Sequence, residues 1–115
     1  MTIDIRKAKI YLRPGCTDMR KAINGLTAIV QRKMSADPFS GSLFLFCNRQ
    51  RDLLKALWWD NTGFWLCQKR LEKDKFPWPQ DESAVREITA DQLLMLLEGI
   101  DFFKAHKPLC YKKVV

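Results

Sequence analysis

No two cysteines in this sequence form a C-x-x-C pair, and histidine occurs once, at His106. Cys16, Cys47, Cys67 and Cys110 are scattered along the chain. That pattern excludes a structural zinc site and a secreted disulfide framework, and it points to a reducing cytoplasm. His106 and Cys110 lie four apart, but Pro108 between them breaks the helix that would align them. The five glycines form neither G-x-G-x-x-G nor G-x-x-x-x-G-K, so no phosphate-cradling loop is expected. Long apolar runs are missing too. The longest, "LFLFC" and "LLMLL", have five residues each, and "MTIDIRKAKIYL" has no apolar signal segment, so neither a membrane span nor an export leader is expected. Internal repeats and low-complexity tracts are absent.

What is present suits one folded unit. At 115 residues, 47% hydrophobic and with 13 aromatic side chains, the chain predicts a single domain over 1–115, with a core spanning about 8–103 and a basic tail over 104–115. The formal charge is +7 and is unevenly placed. Residues 1–80 hold 15 basic and 7 acidic side chains, whereas 81–115 hold 5 and 6. A positive first part beside a near-neutral remainder suits contact with a polyanion such as nucleic acid, or equally a well-solvated basic surface.

Elements follow from periodicity. "AKIYLR" alternates as a half-buried strand and is ended by Pro14 and Gly15. Thr17 or Asp18 is placed to cap a helix running to about Ser35, with Met19, Ile23, Leu26, Val30 and Met34 as its apolar stripe. Beyond the turn cluster "DPFSG" come three strands, "SLFLFC", "LLKALWW" and "FWLCQKRL", joined by "NRQRD" and "DNTG". "FPWP" is extended, and "QDESAVRE" is a loop or short strand. "TADQLLMLLEG" is a helix with a capping box from Thr89 and Gln92 and a glycine stop at Gly99. The expected fold is α+β: an antiparallel meander of four to five strands packed against an N-terminal helix and a C-terminal leucine-rich helix.

Regular hairpins fix a pairing. About "DNTG", Trp59 faces Phe64, Trp58 faces Trp65, Leu57 faces Leu66, Lys55 faces Gln68 and Leu53 faces Arg70. With all five residues of "NRQRD" in the other loop, Cys47 faces Leu53, Phe46 faces Leu54 and Phe44 faces Ala56. One face then collects Phe44, Phe46, Leu54, Ala56, Trp58, Trp65 and Cys67 as the core side, under the first helix. At one sheet end Arg49, Arg51, Lys55, Lys69 and Arg70 form a basic corner, with Lys73 and Lys75 nearby. Guanidinium and ammonium groups bind phosphate, and neighbouring rings stack on bases, so the corner is a candidate nucleic-acid surface; charges that deter edge pairing give the same pattern. Leu93, Leu96, Leu97 and Ile100 on the last helix are candidates for partner binding.

No catalytic constellation emerges. Asp52, Asp60 and Glu72 are the acidic residues near the meander, but the first two occupy opposite turns about 20 Å apart at ~3.3 Å per residue, too far to share a metal pair. Catalytic residues, metal and cofactor are therefore all expected to be none.

Four blocks, "DMRKAINGL", "DPFSGSLFLF", "NRQRDLLKALWWDNTGFWLCQKRLEKDKFPWP" and "ITADQLLMLLEGIDF", resemble in order and spacing the small accessory protein encoded by insertion elements of the insertion-sequence sixty-six group. This is the TnpB-type product of the element's second open reading frame. The resemblance covers about residues 10–103. It implies a bacterial mobile-element protein that acts with a separate large transposase and has no known catalytic residues. The similarly named RNA-guided nucleases are a different, larger family whose acidic triad is not seen here. In "NRQRD", Gln50 stands where the insertion-sequence sixty-six accessory proteins that the chain resembles commonly have arginine or glycine.

Three readings follow. The first is a non-catalytic accessory factor that engages DNA at element ends or target through the basic corner, while the leucine helix meets the transposase or a second copy of the chain. The second is a protein-only adaptor or regulator of the transposase. A divalent-metal nuclease is the remote third.

Overall fold

The computed structural model describes residues 3–104. The basic tail, His106 and Cys110 lie outside these residues, apart from Lys104 at the boundary. The elements in chain order are β1 (Ile10–Leu12), α1 (Ile23–Arg32), β2 (Leu43–Cys47), β3 (Leu53–Trp59), β4 (Phe64–Arg70), β5 (Arg86–Ile88), α2 (Ala90–Leu97) and a 3-10 turn at Phe102–Lys104. The α+β class, five strands and two helices agree with expectation.

The sheet order is β4-β3-β2-β1-β5. The three-strand meander β2-β3-β4 is antiparallel, and β5 runs antiparallel to β1, but β1 and β2 pair in parallel. The physical reason is the α1 crossover, which returns the chain to the starting end of the sheet before β2 begins. "SLFLFC" therefore becomes a central strand, with every residue of β2 buried.

Both sheet faces are covered. On one, Leu26, Ile29, Val30 and Met34 of α1 and its C-terminal end pack on Phe44, Phe46 and Leu57. On the other, Leu93 and Leu96 of α2, with Phe76 and Trp78 of the "FPWP" segment, pack on Leu43, Leu45, Cys47, Leu54 and Trp58. Trp78 is locked by its indole N–H, which donates to the Arg13 carbonyl at 2.8 Å.

The β3–β4 register is the one expected, from Trp59 opposite Phe64 to Leu53 opposite Arg70. The β2–β3 register differs by one residue, with Phe44 opposite Leu57, Phe46 opposite Lys55 and Cys47 opposite Leu54. Asn48 extends the ladder, donating its N–H to the Leu53 carbonyl at 3.1 Å, so four residues rather than five form the loop. One residue of slip exchanges the faces. Phe44 and Phe46 consequently lie under α1 with Leu57, while Leu54, Ala56, Trp58 and Cys67 face the α2 side.

Helix α1 begins later than its apolar stripe suggests, and its N-cap, Ala22, supplies no side-chain bond. The expected caps are engaged elsewhere. Thr17 is buried and its Oγ1 accepts from Arg13 Nη1 at 3.2 Å, while Asp18 accepts from the Arg20 N–H at 2.9 Å and from its guanidinium at 2.8 Å. Helix α2 has the expected reciprocal cap: Gln92 N–H donates to Thr89 Oγ1 at 3.1 Å, and Thr89 N–H donates to Gln92 Oε1 at 2.9 Å. Gly99 stops it at φ +77°, a conformation that favours glycine.

Candidate nucleic-acid interface

The β2–β3 loop is built from Asn48 outward. Asn48 Oδ1 accepts from the backbone N–H groups of Asp52 and Leu53, each at 3.0 Å, and its Nδ2 donates to Asp52 Oδ1 at 2.7 Å. Arg51 N–H donates to the Asn48 carbonyl at 3.1 Å, closing a turn in which Arg51 adopts φ +60°. The residues between are thereby pinned without using the side chains of Arg49, Gln50 or Arg51. All three are exposed, and among the described residues neither guanidinium makes a hydrogen bond or ion pair.

The chain after β4 is fastened to this tip. Leu71 N–H donates to the Asp52 carbonyl at 2.8 Å and Phe76 N–H to the Arg51 carbonyl at 2.7 Å. Between these anchors Lys73 and Lys75 are exposed. Arg70 ends β4 here and pairs with Glu72 at 3.0 Å, an exposed bond that raises the guanidinium pKa further. The structure thus brings Arg49, Arg51, Arg70, Lys73 and Lys75 to one end of the sheet, against the carboxylates of Asp52, Glu72 and Asp74. An open groove of about 580 Å³ runs beside the tip, lined by Thr17, Met19, Arg20, Asn48, Arg49 and Gln50.

Two expected members of the corner are committed to the fold. Lys55 Nζ donates to the carbonyls of Met19 at 2.9 Å and Lys21 at 3.1 Å, fastening the segment that leads into α1 to the sheet. Lys69 Nζ donates to the Leu97 carbonyl at 2.8 Å and lies 3.9 Å from Glu98, so it closes the negative end of α2. Of the expected partner residues, Leu93 and Leu96 are buried in the core beneath α2 and are corrected to packing residues. Leu97 is half-buried, and Ile100 is exposed together with Leu94.

Asn48 was missed as the organiser of the tip. The available signal was an Asn at the end of an apolar strand, four residues before Asp52, where a side-chain amide can replace a turn's backbone bonds. Cys47, beneath the tip, is fully buried, and desolvation pushes its thiol up to about 12, which leaves it an inert packing group. Asp52 and Asp60 stand at opposite ends of β3, as the hairpin lengths require. Among the described residues, no three His, Cys, Asp or Glu side chains are grouped to hold a metal ion, and no helix is long and apolar enough to cross a membrane.

Comparison with known proteins returns one family. The model of IS66 Orf2-like proteins matches residues 8–107, almost the whole of the chain. Among curated proteins the chain is similar to the uncharacterized protein y4hO of Sinorhizobium fredii (strain NBRC 101917 / NGR234), 37% identical over 97 residues and covering 84% of each chain. It is also similar to the uncharacterized protein y4jC of the same strain, 29% identical over 102 residues that cover 89% of this chain and 87% of that one. No solved structure matches. With the family pattern spanning both helices and every strand just described, the chain belongs to the IS66 Orf2-like family.

Proposed function

We propose that the protein is a non-catalytic accessory factor of insertion-element transposition that binds DNA through the β2–β3 tip and works with the element's separate transposase. Family membership supports the transposition role. One observation carries the DNA contact: Arg51 is held at φ +60°, exposed and without an intramolecular side-chain partner among the described residues. A left-handed backbone costs a non-glycine residue roughly 1–2 kcal/mol, which glycine or asparagine would largely avoid. Arginine at that position, with Arg49 two residues away, presents two guanidinium groups from one hydrogen-bonded turn and suits paired phosphate oxygens. Lys73 and Lys75 extend the same electrostatic footprint.

Fluorescence anisotropy against labelled element-end duplex and a scrambled duplex, over a salt series, tests this. Four or so neutralised phosphates predict about a hundredfold loss of affinity between 50 and 200 mM salt. Equal affinity for both duplexes would mean phosphate contact alone; preference for the end sequence would add base readout. Absence of binding at low salt would leave the second reading, a protein-only adaptor of the transposase. The apolar surface of Leu94 and Ile100, 46% and 52% exposed, favours some protein contact in either case.

A further inference from the structure

The two edges of the sheet are finished differently. The β5 edge is three residues long, and its Arg86 and Glu87 are exposed. Short, charged edges resist pairing with another chain. The β4 edge is seven residues long, has no proline or glycine, and begins Phe64-Trp65-Leu66. Trp65 is 38% exposed, and its indole N–H is tied to Asp60.

The direction of the backbone groups on β4 can be worked out. Asp60 N–H donates to the Gly63 carbonyl at 3.0 Å at one end of the hairpin, and Leu71 N–H donates to the Asp52 carbonyl at 2.8 Å at the other. Antiparallel ladders alternate, so Trp65, Cys67 and Lys69 exchange bonds with β3. Phe64, Leu66, Gln68 and Arg70 then turn their N–H and C=O groups to the open edge, where no described strand meets them.

We infer that β4 is a self-pairing edge: two copies of the chain join their β4 strands antiparallel about a two-fold axis at Cys67, forming one continuous ten-stranded sheet. The charge pattern selects this arrangement. Parallel pairing would set Lys69 beside Lys69 and Arg70 beside Arg70 of the second copy, a repulsive juxtaposition. Antiparallel pairing centred on Cys67 instead sets Lys69 opposite the second copy's Trp65 and Arg70 opposite its Phe64, so each cationic end meets an aromatic end. In the same register Leu66 and Gln68 form hydrogen-bonded pairs, as do Phe64 and Arg70, giving up to about eight new backbone bonds. The Leu93 and Leu96 face of α2 is filled by the core, so it offers no surface to a second copy.

The test is sedimentation velocity of the full chain from 1 to 200 µM, for wild type and Gln68→Pro. Gln68 is exposed and its N–H faces the open edge, so proline there removes no β3–β4 bond but obstructs the new seam. Wild type sediments as a dimer, and the variant shows at least a tenfold higher dissociation constant with unchanged circular dichroism. A second readout stands if that variant fails to fold. In a Cys16→Ser/Cys110→Ser chain, diamide oxidation yields a Cys67-linked dimer, because opposed residues of a non-hydrogen-bonded pair lie about 4.5 Å apart at Cα, within disulfide reach. A wild-type monomer throughout, a dimer indifferent to a folded Gln68→Pro, or a dimer that yields no Cys67 link would each overturn the pairing.

Discussion

Arg49 and Arg51 project from one end of β3, while Lys55 on β3 and Lys69 on β4 lie a few residues further along the same hairpins, and by sequence all four belong to one basic corner. In the fold they divide. Lys55 spends its ammonium group on carbonyls of the segment leading into α1, and Lys69 on a carbonyl at the end of α2, where a helix C-terminus leaves acceptors unsatisfied. The two arginines are positioned by a turn that uses only backbone and the Asn48 amide, so their charge faces outward. Nearness in a charge cluster therefore says little about function until each cation's partners are known. Committed cations stabilise the chain; uncommitted ones are available to a ligand.

The sharpest way to break this comparison is to exchange the roles by mutation. Arg49→Glu/Arg51→Glu is expected to weaken DNA binding at least about 30-fold at low salt and to flatten the salt dependence by about two phosphates, with the melting temperature unchanged. Anisotropy beside calorimetry reads both. Lys55→Met should do the reverse: destabilisation of about 1–2 kcal/mol in urea, from two carbonyls losing a charged donor, with DNA affinity within about threefold of wild type. Lys69→Met should cost less, about 0.5–1 kcal/mol, because its helix end is more exposed. A lysine variant that kept its stability and lost binding would show that the division is drawn in the wrong place.

Much of this was legible in the sequence, and the misses have definite causes. The Thr89–Gln92 box located α2 because both of its bonds are local. The "DNTG" turn fixed the β3–β4 register because Asp60 and Gly63 close a two-residue loop in which Asn61 takes φ +82°. "NRQRD" did not fix β2–β3, because whether Asn48 belongs to strand or loop depends on what its side-chain amide does, and a one-residue error puts Leu54, Ala56, Trp58 and Cys67 on the α1 face with Phe44 and Phe46 instead of on the α2 face. The parallel β1–β2 pair was hidden by reading successive strands as neighbouring hairpins, although a helix between two strands is what a crossover requires. The basic corner was legible as composition. Its division was not, since the acceptors for Lys55 and Lys69 lie 34–36 and 28 residues away in sequence.

A smaller effect isolates the cost of the tip. Arg51→Gly relieves the left-handed strain and loses some of the gain to the greater chain entropy of glycine, so a net stabilisation of about 0.5 kcal/mol is expected. The same change should lower DNA affinity about fivefold, since one phosphate contact is removed. Stability rising while binding falls would mark Arg51 as a residue kept for its side chain. A fall in stability would mean that the guanidinium has a structural task.

The smallest effect concerns Arg20, which lines the groove beside the tip but is bound to Asp18. The Arg20 side-chain bond, helped by the Arg20 backbone N–H, holds the exposed Asp18 carboxyl at about 2, below its ordinary 3.8. Its contribution to stability is therefore present above pH 3.8 and lost as the pH falls through 2, so at neutral pH the pair is fully formed. A carboxyl titration followed by NMR should show Asp18 still ionised at pH 3. Asp18→Asn removes the anion and leaves Arg20 uncommitted, converting a cation of the lysine kind into one of the arginine kind. DNA affinity should then rise about two- to threefold, with a slightly steeper salt dependence. An unchanged affinity would place the edge of the DNA footprint between Arg49 and Arg20, confining the contact to the hairpin tip and the loop of Lys73 and Lys75.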